Sequence, residues 1–359
     1  MVIYILNMLS LLLWGVIYKK ILDKRKARII VCTGIALQFS LIQGLRSFTI
    51  GIDTPVYIDK YVSIAESEGL SLWHYLTGNI DIFEPGFKTF IYILGRIGFG
   101  PRAYLFITAL FINGFLARFI YHESNDIILS FWLFIGMEFF TLSFTTLRQM
   151  MAIVLILNSF MFLKENKLFK SFVYLLLAVS FHKTALIFGV IHLAKVLYDL
   201  VGKEGKLVKF IIMNRYLLLG LTFPILELLR TFITTFGHKI YDYYNASADL
   251  GLLFLIMLGI LVFLLFIERY CDDKRTLRYY QLLMYITVCI QYCTTFIALL
   301  SRLALFFYVF AIVALPFAMM YVKNERYRRI LIFGMMFVFM IQYLFVSMSM
   351  YNLVPYSIF

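Results

Sequence analysis

The chain has 359 residues, of which 62% are hydrophobic and 15% charged, and its net charge is +13. Soluble domains carry about 25% charged residues, so a pair of water-soluble domains of this length is excluded. The basic balance comes without an aromatic-interleaved basic patch, which argues against nucleic acid, and the positive-inside bias of membrane proteins accounts for most of it. The composition specifies an all-α polytopic membrane protein, read as one domain over residues 1–359 with no soluble domain.

In chain order, apolar runs of roughly spanning length fall at 2–18, 29–45, 102–120, 127–145, 147–163, 170–182, 184–198, 210–229, 250–267, 280–300, 302–322 and 330–349. The first is not a cleavable signal. It lacks a basic start, and Lys19–Arg28 follows where a cleavage site would stand. The stretch 170–198 also reads as one long or broken helix. Cys32, Cys271, Cys289 and Cys293 lack the His or carboxylate partners of a metal set and read as small apolar residues.

Orientation comes from Lys and Arg, which cluster in 19–28, 164–170, 195–209, 269–278 and 323–329. Placing all five clusters in the cytoplasm requires about 12 spans, with both termini outside. It also requires 46–100 to be an outer loop. Its apolar piece, Phe87–Ile97, is too short for an ordinary span and reads as a re-entrant or surface helix.

The informative residues are then basic ones on the outer side: Arg46, Lys60, Lys88, Arg96, Arg102, Arg148, Lys183, Arg230, Lys239 and Arg302. Arg102 follows Pro101, Arg148 follows Thr145 and Thr146, Arg302 follows Ser301, and His182-Lys183 precedes Thr184. Each is expected at an outward helix N-terminus beside a residue that suits a helix start. A cation there is unfavourable for the helix unless an anion offsets it, and the Arg fork suits phosphate. The expected ligand is a phosphate or pyrophosphate at the outer membrane boundary; snorkelling to headgroups is the bland alternative.

Asp53 and Glu84 stand out among the outer carboxylates because Arg and aromatic residues flank them, so each can serve as a base or hold a sugar hydroxyl. Tyr57, Tyr61, Trp73, Tyr75, Tyr241, Tyr243 and Tyr244 read as an outer aromatic belt, with stacking on sugars as the alternative. Glu138, inside a span, is expected to pair with an Arg of another helix, a proton relay being the alternative. Phosphate-loop, GxSxG, HExxH and Asp-x-Asp patterns are missing, as is an inverted transporter-type repeat.

Three segments carry a resemblance: Arg46…Gly51-Ile-Asp53…Tyr57…Tyr61; Phe83-Glu84-Pro85-Gly86-Phe87; and Leu147-Arg148-Gln149…Ala152 with Lys164-Glu-Asn-Lys167 and Phe181-His182-Lys183-Thr184. Over about 44–194 the chain resembles the EpsG family of Wzy-like bacterial polysaccharide polymerases. Beyond that, only hydropathy and Ser301-Arg302 agree.

The resemblance implies transfer of a growing glycan from undecaprenyl pyrophosphate to a hydroxyl of the next lipid-linked repeat, at the outer face of the bacterial cytoplasmic membrane. No nucleotide, metal or other cofactor is required in principle, because pyrophosphate is already a good leaving group. Arg148 and Arg302 are expected on the pyrophosphate, supported by Arg46 and Lys183, with Gln149 beside them in the Arg-Gln motif. His182 or Asp53 is the expected base and Glu84 a sugar-positioning residue. Expected partners are the lipid-linked oligosaccharide, the bilayer and other polysaccharide-export proteins. A lipid-linked oligosaccharide flippase, a ligase of the same pathway and an assembly scaffold are the alternatives.

Overall fold

The computed structural model describes residues 1–78, 82–201, 215–236, 251–347 and 351–358. They are helical throughout and contain no strand, only one isolated bridge between Arg46 and Ile358. Two compact units emerge, one formed by Met1–Ala185 with Met319–Phe359 and one by Leu186–Ala318.

The first unit opens with α1 (Val2–Lys20) and α2 (Lys24–Gly44). Three short helices follow: α3 (Thr54–Glu66), α4 (Leu72–Thr77) and α5 (Pro85–Ile97). Then come α6 (Pro101–Glu123), α7 (Ile127–Gly136), α8 (Phe139–Thr145), α9 (Leu147–Lys164) and α10 (Leu168–Phe181). A 3-10 segment, Lys183–Phe188, links α10 to α11 (Gly189–Val201). The second unit also holds α12 (Arg215–Phe236), α13 (Leu252–Ile267), α14 (Lys274–Cys293), α15 (Ser301–Tyr308) and α16 (Ala311–Met319), and α17 (Glu325–Gln342) returns to the first unit.

Five helices are long and apolar enough to cross a membrane, seven if the bent pairs α7–α8 and the α15–α16 region each count as one span. They include α1, α2, α6, α9 and α17 with its continuation to Phe345. The other expected spans fall on the shorter apolar helices α10 and α13, on α11, α12 and α14, and partly outside the described residues. The stretch 170–198 is broken at His182. The segment 46–100 contains no spanning helix, but it holds three helices where one was expected.

Packing fixes which helix ends coincide. Arg28, near the start of α2, donates to the carbonyls of Ile120, Tyr121 and Ser124 at the end of α6. At the other end of α2, a Cβ on Gly44 would lie 2.8 Å from the Phe106 Cα. The two helices are therefore antiparallel. Helix α6 runs parallel to α9, since Arg118 donates to Asn158 at 2.6 Å and Lys164 pairs with Glu123 at 2.6 Å. Helix α10 runs back along α9, where Ser159 and Ser171 each donate to the other's carbonyl, at 2.7 and 2.8 Å. Small residues allow that close approach. The basic residues Arg28, Lys164, Lys167 and Lys170 therefore gather at one end of the unit. The ends of α2 and α10 and the starts of α6 and α9 gather at the other. Helix α9 is the central element, 89% buried over its span window, against 22% for α1 and 17% for α17.

Candidate active site at one end of the first unit

The site end begins with the turn between α8 and α9. The last carbonyls of a helix need donors, and Phe144 O receives two, Arg46 Nη2 at 3.0 Å and Thr54 Oγ1 at 2.9 Å. Arg46 is 1% exposed. Its other groups donate to Gln43 O at 2.6 Å and Ile50 O at 3.2 Å, and its guanidinium lies 4.9 Å from the Phe144 ring centre. Gly51 allows this wrap. Its φ is +91°, and a Cβ there would stand 2.5 Å from Phe144 O. The cation meets the negative end of α8 and pins the 46–54 loop against the start of α9.

A second apposition brings α5 to the end of α10. A Cβ on Gly86 would lie 2.3 Å from Ser180 Oγ and 2.8 Å from Ser180 O, so only glycine lets the two ends meet without displacement. Glu84, just before α5, thereby reaches across to three groups. One carboxylate oxygen forms an ion pair with Arg148 Nη1. The other accepts from the Lys183 backbone N–H at 3.2 Å and lies 3.3 Å from His182 Nδ1. The three side chains are 10–17% exposed. The Arg148 guanidinium covers the Phe83 ring at 4.6 Å, and the Tyr57 hydroxyl is within hydrogen-bonding reach of its side chain and backbone N–H. Phe83 and Phe87 hold the Tyr57 ring, at 5.8 and 5.7 Å between centroids.

The electrostatics follow from this geometry. Burial pushes the Glu84 carboxyl up, but His182, Arg148 and the Lys183 N–H outweigh it and hold Glu84 down at about 2. Glu84 is thus an anion at neutral pH and a weak base. Burial raises the Tyr57 hydroxyl, and Arg148 opposes the rise. His182 Nδ1 faces a Glu84 oxygen at 3.3 Å, and neither ring nitrogen makes a hydrogen bond among the described residues. Its Nε2 is buried and without a hydrogen-bond partner among the described residues. Arg148 Nε is likewise buried and unpartnered.

Glu84, Arg148, His182 and Lys183 thus come together, with the Lys183 side chain exposed. Asp53 is exposed and acts on the Tyr57 hydroxyl as a nearby charge. Gln149 follows Arg148 but is buried, 3% exposed. Arg302 is exposed in the second unit, at the start of α15.

Several expectations change. Arg102, Arg148 and Arg302 are each the second residue of a helix, but His182 ends α10 and Lys183 opens a 3-10 turn. The hydroxyls of Thr145, Thr146 and Ser301 do not cap the following helices; they donate back to Leu142 O, Leu142 O and Ala298 O. Tyr57, Tyr61 and Tyr75 are buried packing residues, not a belt, whereas Trp73 is exposed. Tyr241, Tyr243, Tyr244 and Lys239 lie outside the described residues. Glu138 meets Gln342 and Tyr351, and no Arg among the described residues.

The EpsG family model matches residues 29–358, nearly the whole chain. The chain belongs to the EpsG family. Comparison with curated proteins and with solved structures gave no significant match. Membership makes this a membrane protein of polysaccharide biosynthesis, a Wzy-like polymerase of glycosyltransferase type. The match also carries the likeness well past residue 194, where the EpsG motifs visible in the sequence stop. In this EpsG chain, Tyr57, expected in the aromatic belt, and Phe83, to which the sequence assigned no role, both join the site, and both stand inside the motifs that carry the likeness. Their signal was adjacency to Asp53 and Glu84.

Proposed function

We propose that the protein joins undecaprenyl-pyrophosphate-linked oligosaccharide repeats, with His182 as the base and Glu84 as the group that orients it. One observation carries this reading: a single, largely covered carboxylate faces both a guanidinium and an imidazole whose second nitrogen makes no hydrogen bond among the described residues. A carboxylate that fixes one imidazole nitrogen frees the other for proton transfer.

His182 Nε2 takes the proton of the acceptor hydroxyl as that oxygen bonds to the anomeric carbon of the donor glycan. The bond from that carbon to the pyrophosphate oxygen breaks, and its electron pair leaves with the lipid pyrophosphate. Arg148, its Nε still unpartnered and the α9 N-terminus behind it, stabilises the departing charge, with the Lys183 ammonium beside it. Arg46 acts indirectly, by fixing the α8–α9 turn. Asp53 is the alternative base and reaches the site through Tyr57. Gln149 enters the substrate-binding set through the Arg-Gln motif, and Arg302 enters it through Ser301-Arg302; both rest on sequence pattern alone.

The same reading puts the site end outside the bacterial cytoplasmic membrane, in a chain of about 12 spans with both termini outside. The test is the sidedness of lipid-linked repeats in a deletion strain carrying either the wild-type gene or His182→Ala. Without polymerase activity, single repeats accumulate on the lipid and are open to an impermeant glycosidase on spheroplasts. Repeats reached only after lysis would reassign the protein to transport.

A further inference from the structure

At the end of the first unit opposite Glu84, most cations are answered within the fold. Lys164 pairs with Glu123 at 2.6 Å and Lys167 with Glu165 at 2.7 Å, and Arg28 donates to three carbonyls at the end of α6. Two are not answered in this way. Arg118 of α6 and Lys170 of α10 pair with no Asp or Glu among the described residues.

Arg118 lies inside a candidate span, where an ionisable side chain is costly and marks a partner or a ligand. A snorkelling Arg carries its fork out to water, but this fork is tied to neighbouring helices. Its hydrogen bonds both come from Nη1, to Oδ1 of the fully buried Asn158 on α9 at 2.6 Å and to the Tyr174 hydroxyl on α10 at 3.3 Å. The guanidinium stands 5.1 Å from the Phe162 ring centre and 5.8 Å from that of Tyr174. Nε and Nη2 find no acceptor among the described residues, and the side chain is only half-buried.

Lys170 Nζ stands 5.9 Å from the centre of the same Phe162 ring. Tyr174 lies one turn further along α10, on the face that carries Lys170. Two like charges beside one ring repel each other unless an anion answers them. A planar fork with free N–H groups suits a phosphate. Val173 and Leu177, both exposed apolar residues, continue this side of α10 away from Lys170, which is a path for an acyl chain and offers nothing to a soluble anion.

We propose that one anionic phospholipid binds where α6, α9 and α10 meet, its phosphate on Nε and Nη2 of Arg118, its charge shared with Lys170 and its chains along Val173 and Leu177. The site uses none of Glu84, Arg148 and His182 and stands independently of the proposed reaction.

The test uses full-length protein in nanodiscs in which phosphatidylglycerol replaces phosphatidylcholine stepwise at constant ionic strength. The melting temperature should rise to a plateau, and native mass spectrometry should show one phosphatidylglycerol retained per chain. Both effects should be lost in Arg118→Gln and in Lys170→Gln. Both should be kept in Lys20→Gln, which removes the same charge from an exposed position at the end of α1. The Lys170 side chain is exposed, so its variant decides the matter if Arg118→Gln fails to fold. A rise that both site variants keep, or that Lys20→Gln loses equally, would overturn the site, because diffuse membrane charge then suffices. Equal melting in the two lipids would overturn it. So would an equal rise with inorganic phosphate in phosphatidylcholine discs, since the occupant is then a soluble anion.

Discussion

Glu84 organises its surroundings because it has two oxygens and three neighbours that need one. Arg148 takes one oxygen, sits over the Phe83 ring and meets Tyr57. Only a planar fork makes all three contacts. Arg148→Ala should therefore abolish polymer formation with folded protein still in the membrane. Arg148→Lys should lose about tenfold or more, ~1.4 kcal/mol of barrier, in the rate of polymer formed from lipid-linked repeats. Near-normal polymer from the Lys variant would return Arg148 to a snorkelling role. His182→Ala should be as inactive as Arg148→Ala but recover in part with added imidazole, whereas Asp53→Ala should keep part of its activity. If Asp53→Ala is inactive and imidazole fails to rescue His182→Ala, Asp53 is the base.

Glu84 also has a pH signature. Its carboxyl is depressed from 4.5 to about 2, by contacts that outweigh the effect of burial. A depressed acid adds stability that is fully present above its unfolded value and fades as pH falls through its folded value. The stability difference between wild type and Glu84→Gln should thus hold down to about pH 4.5 and shrink from there to about pH 2. A difference independent of pH across that window would show that the carboxylate's charge contributes nothing.

At the scale of elements, most long helices were legible because apolar runs stand out, and the starts of α5 and α6 because each carries Pro in its first turn, whereas α3 was not expected although Pro55 stands in its first turn. Four cations of the 46–102 region meet partners that the sequence does not show. Lys88 donates to Tyr75 O and Gly78 O at the end of α4, Arg96 to Ser67 O and Leu70 O, and Arg102 to Arg46 O. With Arg46, these four offset helix ends and loop carbonyls in the fold itself. A sequence gives the charge of a side chain but not the free carbonyl it will meet. The reach of Glu84 to Lys183 was hidden in the same way, since two residues 99 positions apart are brought together where Gly86 meets Ser180. Gly86→Ala should force α5 from α10 and part Glu84 from His182, so activity should fall strongly while the melting temperature changes little. Gly51→Ala, strained at φ +91° and crowded against Phe144 O, should lower the melting temperature as well. Unchanged activity in Gly86→Ala would show that the α5–α10 contact is not what positions the carboxylate.

At the scale of the molecule, the C-terminal tail returns to the site end. Ser47 N donates to Ser357 O at 2.9 Å, Gly51 N to Asn352 O at 3.3 Å, and the Tyr356 hydroxyl to Ile42 O at 2.9 Å. The Tyr4 hydroxyl donates to Leu353 O at 2.9 Å, so the N-terminal helix begins there too. Both termini therefore share an end with Arg148, and the basic residues that end α1 and open α2 lie at the opposite end. Sidedness of the whole protein then reduces to two positions. Ser357 is exposed in the tail, and Leu22 is 96% exposed between α1 and α2. Cys32 and Cys271 are buried but Cys289 and Cys293 only partly so, and the last two must be replaced before labelling. In that background, Ser357→Cys should react with an impermeant maleimide on intact cells, and Leu22→Cys only after permeabilisation. The reverse pattern would turn the Glu84–Arg148–His182 cluster toward the cytoplasm. Polymerisation of repeats already delivered outside would then be impossible at that site, whatever the effect of its mutations on polymer.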